Sequence, residues 1–488
     1  MELQRNPIIK VLCIVTAVVG TAMLFPAAVS LLYGERAEAA AFLVCCVPMT
    51  LLGGLAGTHI DATGGSGLRM RDGFFIVGSS WLIMSLAGAL PFVVSGSIPN
   101  IFDAYFETAS GFTTTGATIL RDVESLPMGM LFWRSLTHWL GGMGILLLTI
   151  ALLPMLGIGG QKIMRAETTG PTMDKIAFTV NDTAKALYKI YTGMTALQIV
   201  LLLAGGMKLF DAAVNTFGSV GTGGFSIYNR SIGQYGSAYA DIVIALFMLA
   251  AGVNFSLYYK LFSGDAAQLF RDFELKVYVR IVAGSTVFIA IVLVWKGLYA
   301  SMGESLHHAF FQVASIITTT GYATADFDTW PAACKIILFG LMISGPCASS
   351  TGGGIKVIRL ALIAKLIQRG VHRRLHPDAV FPVRAGDHTV PTDVMSGVVG
   401  FILLYIAVST AGFLLLSLEN VDGVTAASSV IACISNIGPG FGMVGPAGNF
   451  AFYSNASKLM LSLLMIAGRL ELYTILLLFT PAFWNRSR

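Results

Sequence analysis

The apolar residues of this chain fall into ten segments of bilayer-crossing length: 9–33, 40–60, 73–96, 129–156, 185–208, 238–262, 277–299, 332–368, 393–418 and 457–483. A helix needs about 20 mostly apolar residues to cross the hydrocarbon layer. A chain so patterned is a polytopic bundle in lipid. Its 488 residues are only 12% charged, against about 25% in soluble proteins. That excludes a soluble enzyme of several domains. The stretch MELQRNPIIK that opens the chain leads into the first span and shows no clean cleavage site, so it reads as a membrane helix and not a removed signal. Six cysteines stand in or beside apolar runs without a CxxC pair and read as free thiols.

The basic residues set the orientation. With the N-terminus inside, the inner stretches 59–72, 157–190, 260–280 and 356–391, together with both termini, hold 22 of the 31 Lys and Arg residues. Cytoplasmic loops carry such an excess. Both termini are therefore expected in the cytoplasm.

Four apolar segments are too short to span and enter from outside. They read FDAYFETASGFTTTG (102–116), FDAAVNTFGSVGTGG (210–224), HHAFFQVASIITTTG (307–321) and VTAASSVIACISNIG (424–438). Each has Ala third and Gly last: Ala104 and Gly116, Ala212 and Gly224, Ala309 and Gly321, Ala426 and Gly438. The repeat is about 100 residues long and occurs four times in the same sense. The expected fold is an all-α polytopic membrane protein: four parallel helix–pore-loop–helix repeats around a pseudo-fourfold pore, plus an extra N-terminal helix pair. The expected divisions are 1–66 (the pair), 67–170, 171–270, 271–385 and 386–488.

Irregular backbone at membrane depth must be buried in protein or line a wet cavity. Four glycine loops satisfy this by converging on one axis. Carbonyls turned inward there replace the hydration shell of a cation. Glycine allows the positive φ that such a turn needs. Each half-helix points its negative C-terminal end at the centre. Thr114, Thr115, Thr319 and Thr320 offer hydroxyl oxygens beside the glycines. No carboxylate accompanies them, so the expected ion is monovalent, K⁺ or Na⁺, and not a hard divalent ion.

FETASGFTTTGAT, SVGTGGFSIYN, ASIITTTGYAT and ISNIGPGFG resemble the four pore loops of the Trk/Ktr/HKT superfamily of potassium transporters. The leading helix pair and the closing MIAGRLELYTILLLF resemble its bacterial TrkH-type subunit. The resemblance covers essentially the whole chain. It implies K⁺ uptake across a bacterial inner membrane by a homodimer with one pore per protomer, and a cytosolic TrkA-type ring that binds NAD(H) and ATP. It maps a selectivity filter onto Gly116, Gly224, Gly321 and Gly438 and the residues just before them: Thr114 and Thr115, Thr222 and Gly223, Thr319 and Thr320, Asn436 and Ile437. The four loops differ, and none is the T-V-G-Y-G of tetrameric channels, so K⁺ preference is expected to be real but less strict, with Rb⁺ passing.

The third long span contains Gly345-Pro346 and Gly352-Gly353-Gly354, which a helix interior does not tolerate. It is expected to break over 344–354 below the filter, with Ser349, Ser350 and Thr351 lining the break. In the resembling family this loop is the gate. Arg469 lies mid-span, where an arginine costs at least about 2.5–3.5 kcal/mol, and is expected to bind the carbonyls of that loop and hold it closed. Glu471 is off its helical face and a poor partner. Arg134 reads as an outer-boundary residue of structural role. Asp122, Glu124, Asp241, Asp326, Asp328, Glu419 and Asp422 gather outside, as a cation-concentrating mouth or a solvated face. The basic segment RGVHRRLHPDAVFPVRAGD suits lipid headgroups or a docked ring.

Enzyme motifs are absent, with no Walker A, H-E-x-x-H or G-x-S-x-G. No nucleic-acid partner is expected. The alternatives are the K⁺-binding subunit of an ATP-driven pump, a Na⁺/K⁺ cotransporter or other symporter, an organic-solute carrier, for which inverted repeats would be usual, and a membrane enzyme.

Overall fold

The computed structural model describes residues 5–60, 70–144, 180–264, 266–379, 381–386 and 388–484. Among the described residues the chain is all-α save for a two-residue pairing of β1 (Arg384–Ala385) with β2 (His388–Thr389) in the basic segment 356–391. A leading pair, α1 (Arg5–Ala22) continued by α2 (Leu24–Leu32) and α3 (Arg36–His59), precedes four helix–loop–helix repeats. The pair crosses closely because small residues meet: a Cβ on Gly53 would lie 2.1 Å from that of Ala17. Close backbone approach through small residues is how helices associate in lipid, where apolar burial gives no net drive.

The first helices of the repeats are α4 (Met70–Val94), α7 (Val180–Ala204), α12 (Phe273–Trp295) and α16 (Thr392–Leu416). All four are long and apolar enough to cross a membrane. The half-helices are α5 (Ile101–Phe112), α8 (Leu209–Val220), α13 (Met302–Ile317) and α17 (Gly423–Ile434). Three start on a side-chain cap: Asn100, Ser301 and Asp422 each accept from backbone N–H groups of the first turn.

The second helices are α6 (Met128–Gly142), then the pair α9 (Ala238–Ala251) and α10 (Phe255–Phe262), followed by the short α11 (Ala266–Arg271). Next come α14 (Ala332–Ser344) with α15 (Val357–Leu375), and α18 (Asn455–Arg469) with α19 (Tyr473–Phe479) and the terminal turn α20 (Pro481–Trp484). The sequence predicts one break among these spans, and the described residues have three. The stretch 238–262 bends by 93° between α9 and α10, where Asn254 caps the new helix. The stretch 457–483 breaks after Arg469, where Glu471 and Leu472 hold φ of 55° and 59°. The expected break at 344–354 runs on to Lys356, which has φ 82°. The part of the fourth span after residue 144, the inner segment up to 179 and the segment 61–69 lie outside the described residues.

Two second helices, α6 and α18, meet the half-helix of their own repeat where glycine removes the side chain. A Cβ on Gly141 would sit 1.8 Å from Phe112 O, and one on Gly468 1.9 Å from Ile434 O. Phe112 and Ile434 are the last residues of α5 and α17. These contacts seat the ends of α5 and α17 directly on the backbone of α6 and α18.

Candidate functional site

All four half-helices end in the same way. The residue two before the glycine takes positive φ: Thr114 54°, Thr222 54°, Thr319 58° and Asn436 57°. The next residue donates its N–H back to the helix, Thr115 to Ser110 O, Gly223 to Gly218 O, Thr320 to Ser315 O and Ile437 to Ala432 O, at 2.7–2.9 Å. This is Schellman closure. Its left-handed position normally belongs to glycine, yet three loops place a β-branched threonine there, a conformation that costs about 1–3 kcal/mol and persists only where the surroundings impose it.

The glycines then close a ring. Gly116, Gly224, Gly321 and Gly438 have φ of 79°, 78°, 85° and 95°. A Cβ on Gly116 would fall 2.1 Å from Gly223 O, on Gly224 1.9 Å from Thr320 O, on Gly321 2.1 Å from Ile437 O, and on Gly438 2.7 Å from Thr115 O. Each loop thus presses its glycine onto the carbonyl that precedes the next loop's glycine, in cyclic order 1-2-3-4-1. One cavity, on the face of the ring away from residues 345–356, is lined by all four glycines.

The hydroxyls beside the glycines also hold the loops together. Thr115 and Thr320 are tied to Thr113 and Thr318 at 2.8 Å in each case. Thr222 donates to Gly221 O, and Thr319 Oγ1 accepts from Gly353 N at 2.8 Å. Thr114 Oγ1 and Asn436 Oδ1 are buried and make no hydrogen bond within the protein. Asn436 Nδ2 instead ties loop four to Thr115 Oγ1 and Met465 O. Among the described residues no cluster of three His, Cys, Asp or Glu side chains occurs that would suit a transition-metal ion.

Residues 345–356 form a loop directly beneath this ring. A Cβ on Gly352 would lie 2.7 Å from Thr318 O, and one on Gly353 2.3 Å from Ser435 O. The glycines are small because the loop is pressed against the half-helix ends of repeats three and four. Gly345, at φ 66°, turns the chain away from α14 beside Gly353. Pro346 O accepts from Val357 N. Ser349 O accepts from Phe255 N, and Thr351 bonds Ala251 O, so the loop also occupies the bend of repeat two. Ser350 closes the loop on itself through Cys347 O. Gly354, at φ 74°, leads to Lys356.

Two buried cations face the loop. Arg469, the last residue of α18, donates Nη1 to Thr351 O at 2.5 Å and Nη2 to Gly141 O and Gly142 O at 2.8 Å. Its reach to repeat one is an addition to the sequence reading. The Lys356 ammonium donates to Gly352 O. Glu471 pairs with Arg359 at 2.5 Å. Glu274 holds the loop from the side, accepting from Ala348 N at 2.8 Å and Ile358 N at 3.2 Å. Lys356, Glu274 and Arg359 escaped the sequence reading; their one signal was charge at the edge of an apolar span. Arg134, read as a boundary residue, is instead buried against Glu107 at 2.7 Å.

The acidic residues expected at the outer mouth are engaged in loop ties: Asp122 and Glu124 with Asn229, Asp241 with His307, Asp328 with Lys335 and Gly442, Glu419 with Ser454, and Asp326 and Asp422 as caps.

Residues 49–486 match the family model TrkH, "Cation transport protein". The chain belongs to the TrkH family of cation transport proteins. It is 40% identical over 422 residues to the Trk system potassium uptake protein TrkH of Salmonella typhimurium, covering 86% of this chain and 87% of that one. It is 36% identical to the TrkH of Vibrio parahaemolyticus, over 99% of this chain and all of that one. The crystal structure of the potassium transporter TrkH from Vibrio parahaemolyticus superposes with a TM-score of 0.88 at 34% identity, over 99% of this chain and 100% of that chain. The family is one of transporters and not of enzymes, and its members are multi-pass membrane proteins.

Proposed function

We propose that the chain is a K⁺-uptake subunit whose filter is the ring at Gly116, Gly224, Gly321 and Gly438. The observation that carries this is the cyclic closure of the four loops, each glycine seated on its neighbour's carbonyl. A ring of neutral backbone oxygens, flanked by four helix C-termini, suits a dehydrated monovalent cation. The relatives' printed function, potassium uptake, agrees with that chemistry. The segment 345–356 is the gate: it lies across the inner end of the ring, and Arg469 and Lys356 bring two positive charges under it. Opening requires the loop to leave Thr319 Oγ1, Ala251 O and the Arg469 guanidinium together. Orientation with both termini cytoplasmic, a homodimer, and a cytosolic nucleotide-binding ring of the TrkA type acting on the gate belong to the same reading.

Tracer Rb⁺ entry into liposomes holding the purified chain tests it. We expect entry that K⁺ competes strongly and Na⁺ weakly. Entry that depends on an imposed pH or Na⁺ gradient would make the chain a symporter; no Rb⁺ entry under any gradient would reject the proposal.

A further inference from the structure

Nine residues before each ring glycine the half-helices carry a buried polar side chain: Glu107, Asn215, Gln312 and Ser429. In repeats one and three this residue holds the strand that leaves the loop. Glu107 Oε2 accepts from Ile119 N at 3.0 Å, and the Gln312 amide, in the orientation that turns its oxygen toward the Thr324 and Ala325 N–H groups, accepts from Thr324 N at 2.9 Å. Ile119 and Thr324 are each the third residue after the glycine. In repeats two and four the same position bonds a tyrosine hydroxyl, Asn215 to Tyr235 at 2.8 Å and Ser429 to Tyr453 at 2.9 Å.

Repeat one alone uses a carboxylate here, with a cation beside it. Arg134 contacts Glu107 Oε1 through Nε at 2.8 Å and Nη2 at 2.7 Å. Its Nη1 donates to Ser226 O at 3.1 Å, two residues after Gly224, and its guanidinium lies 4.0 Å from the centre of the Phe225 ring. Thr118 donates its hydroxyl to the same carboxylate. Glu107 therefore grips the exit strand of loop one while Arg134 grips that of loop two. Arg134 also forms part of the wall of the cavity that the four glycines share.

We propose that Glu107 and Arg134 are a specificity-determining brace. They are positioning residues that touch no ion: together they fix loops one and two relative to each other, and Glu107 cancels a positive charge that would otherwise oppose a cation at the outer mouth. This rests on the filter reading above. A buried ion pair left with one member retains an uncompensated charge, so the two residues are separable by experiment.

Glu107→Gln keeps an acceptor for Ile119 N, as Gln312 does in repeat three, but removes the negative charge. In liposomes its half-saturating Rb⁺ concentration should rise on the order of tenfold with maximal flux little changed, because an unscreened charge a few ångströms away acts on ion affinity. Glu107→Gln combined with Arg134→Gln removes both charges. It should recover the affinity but not the discrimination against Na⁺, because the tie to Ser226 is gone. Glu107→Asp, the variant to use should Glu107→Gln fail to fold, keeps the charge and shortens the reach; it should hold affinity and lose discrimination. Native affinity and discrimination in Glu107→Gln, or in Glu107→Asp where that variant is used, would overturn the brace. So would equal affinity loss in Glu107→Gln and the double variant. Native protein that admits no Rb⁺ would instead defeat the transport reading itself, so the two failures are distinguishable.

Discussion

Gly224 shows what one missing methyl group does. Its φ is 78°, and the Cβ it lacks would fall 1.9 Å from Thr320 O. Gly224→Ser therefore combines left-handed strain of about 1–2 kcal/mol with a clash against rigid backbone. The strained loop turns its carbonyl away, and its neighbour moves with it. We expect Na⁺ to inhibit Rb⁺ uptake several-fold more strongly in Gly224→Ser and in Gly116→Ser; native selectivity in both would refute the filter. Arg469 acts at the other end. Arg469→Ala leaves the carbonyls of Thr351, Gly141 and Gly142 without that donor and removes one of two charges below the ring. Basal flux without any cytosolic partner should rise, read as tracer entry into liposomes holding this variant alone. These residues were unequally legible. The four glycines stood out because a repeat multiplies a weak signal by four. The ties at Gly141 and Gly142 were invisible, since backbone carbonyls carry no side-chain signature and their pairing with Arg469 spans more than three hundred residues.

At the scale of elements, the 345–356 loop proposed as the gate and the half-helix caps make separate predictions. Deleting 347–353 should raise flux, and combining it with Arg469→Ala should add little, because the arginine acts through the loop it binds. Additive effects would mean that it acts elsewhere. The cap of α17 is Asp422, whose carboxylate is held below its ordinary range by the Thr425 hydroxyl first and by the Thr425 and Val424 backbone N–H groups. A depressed carboxylate stabilises above its unfolded pKa, and that stabilisation is lost as pH falls through the folded one. Asp422→Ala should thus lower stability by about 1 kcal/mol at neutral pH, and thermal unfolding should show the gap from native protein narrowing below pH 4 or so. The break in α14–α15 was readable because Gly-Pro and a glycine triplet forbid a helix. The bend at 252–254 was not, since Gly-Val-Asn within an apolar run violates no such rule. The break after Arg469 was also hidden: Glu471 and Leu472 adopt left-handed backbone that neither residue favours, in a setting where Glu471 meets Arg359 from another repeat.

The whole molecule is asymmetric about its axis. Its inner face is expected to be the basic one, so a cysteine placed at exposed Arg373 in intact cells should resist a membrane-impermeant thiol reagent and react only in inside-out vesicles. Reaction in intact cells would reverse the orientation. The fold class was legible because lipid restricts a chain to few solutions; the contacts among repeats were not, because they depend on which small residues coincide after folding. One covalent chain builds all four walls of the ring. In an assembly of four identical subunits, any substitution arrives in quadruplicate and the site changes wholesale. Here Gly438 is followed by Pro439, whose ring packs beside Gly321, while loop two carries Phe225 at that position. Each wall can therefore drift on its own, and a ring that acts as the filter proposed above can be re-engineered a quarter at a time, giving graded intermediates between one ionic preference and another.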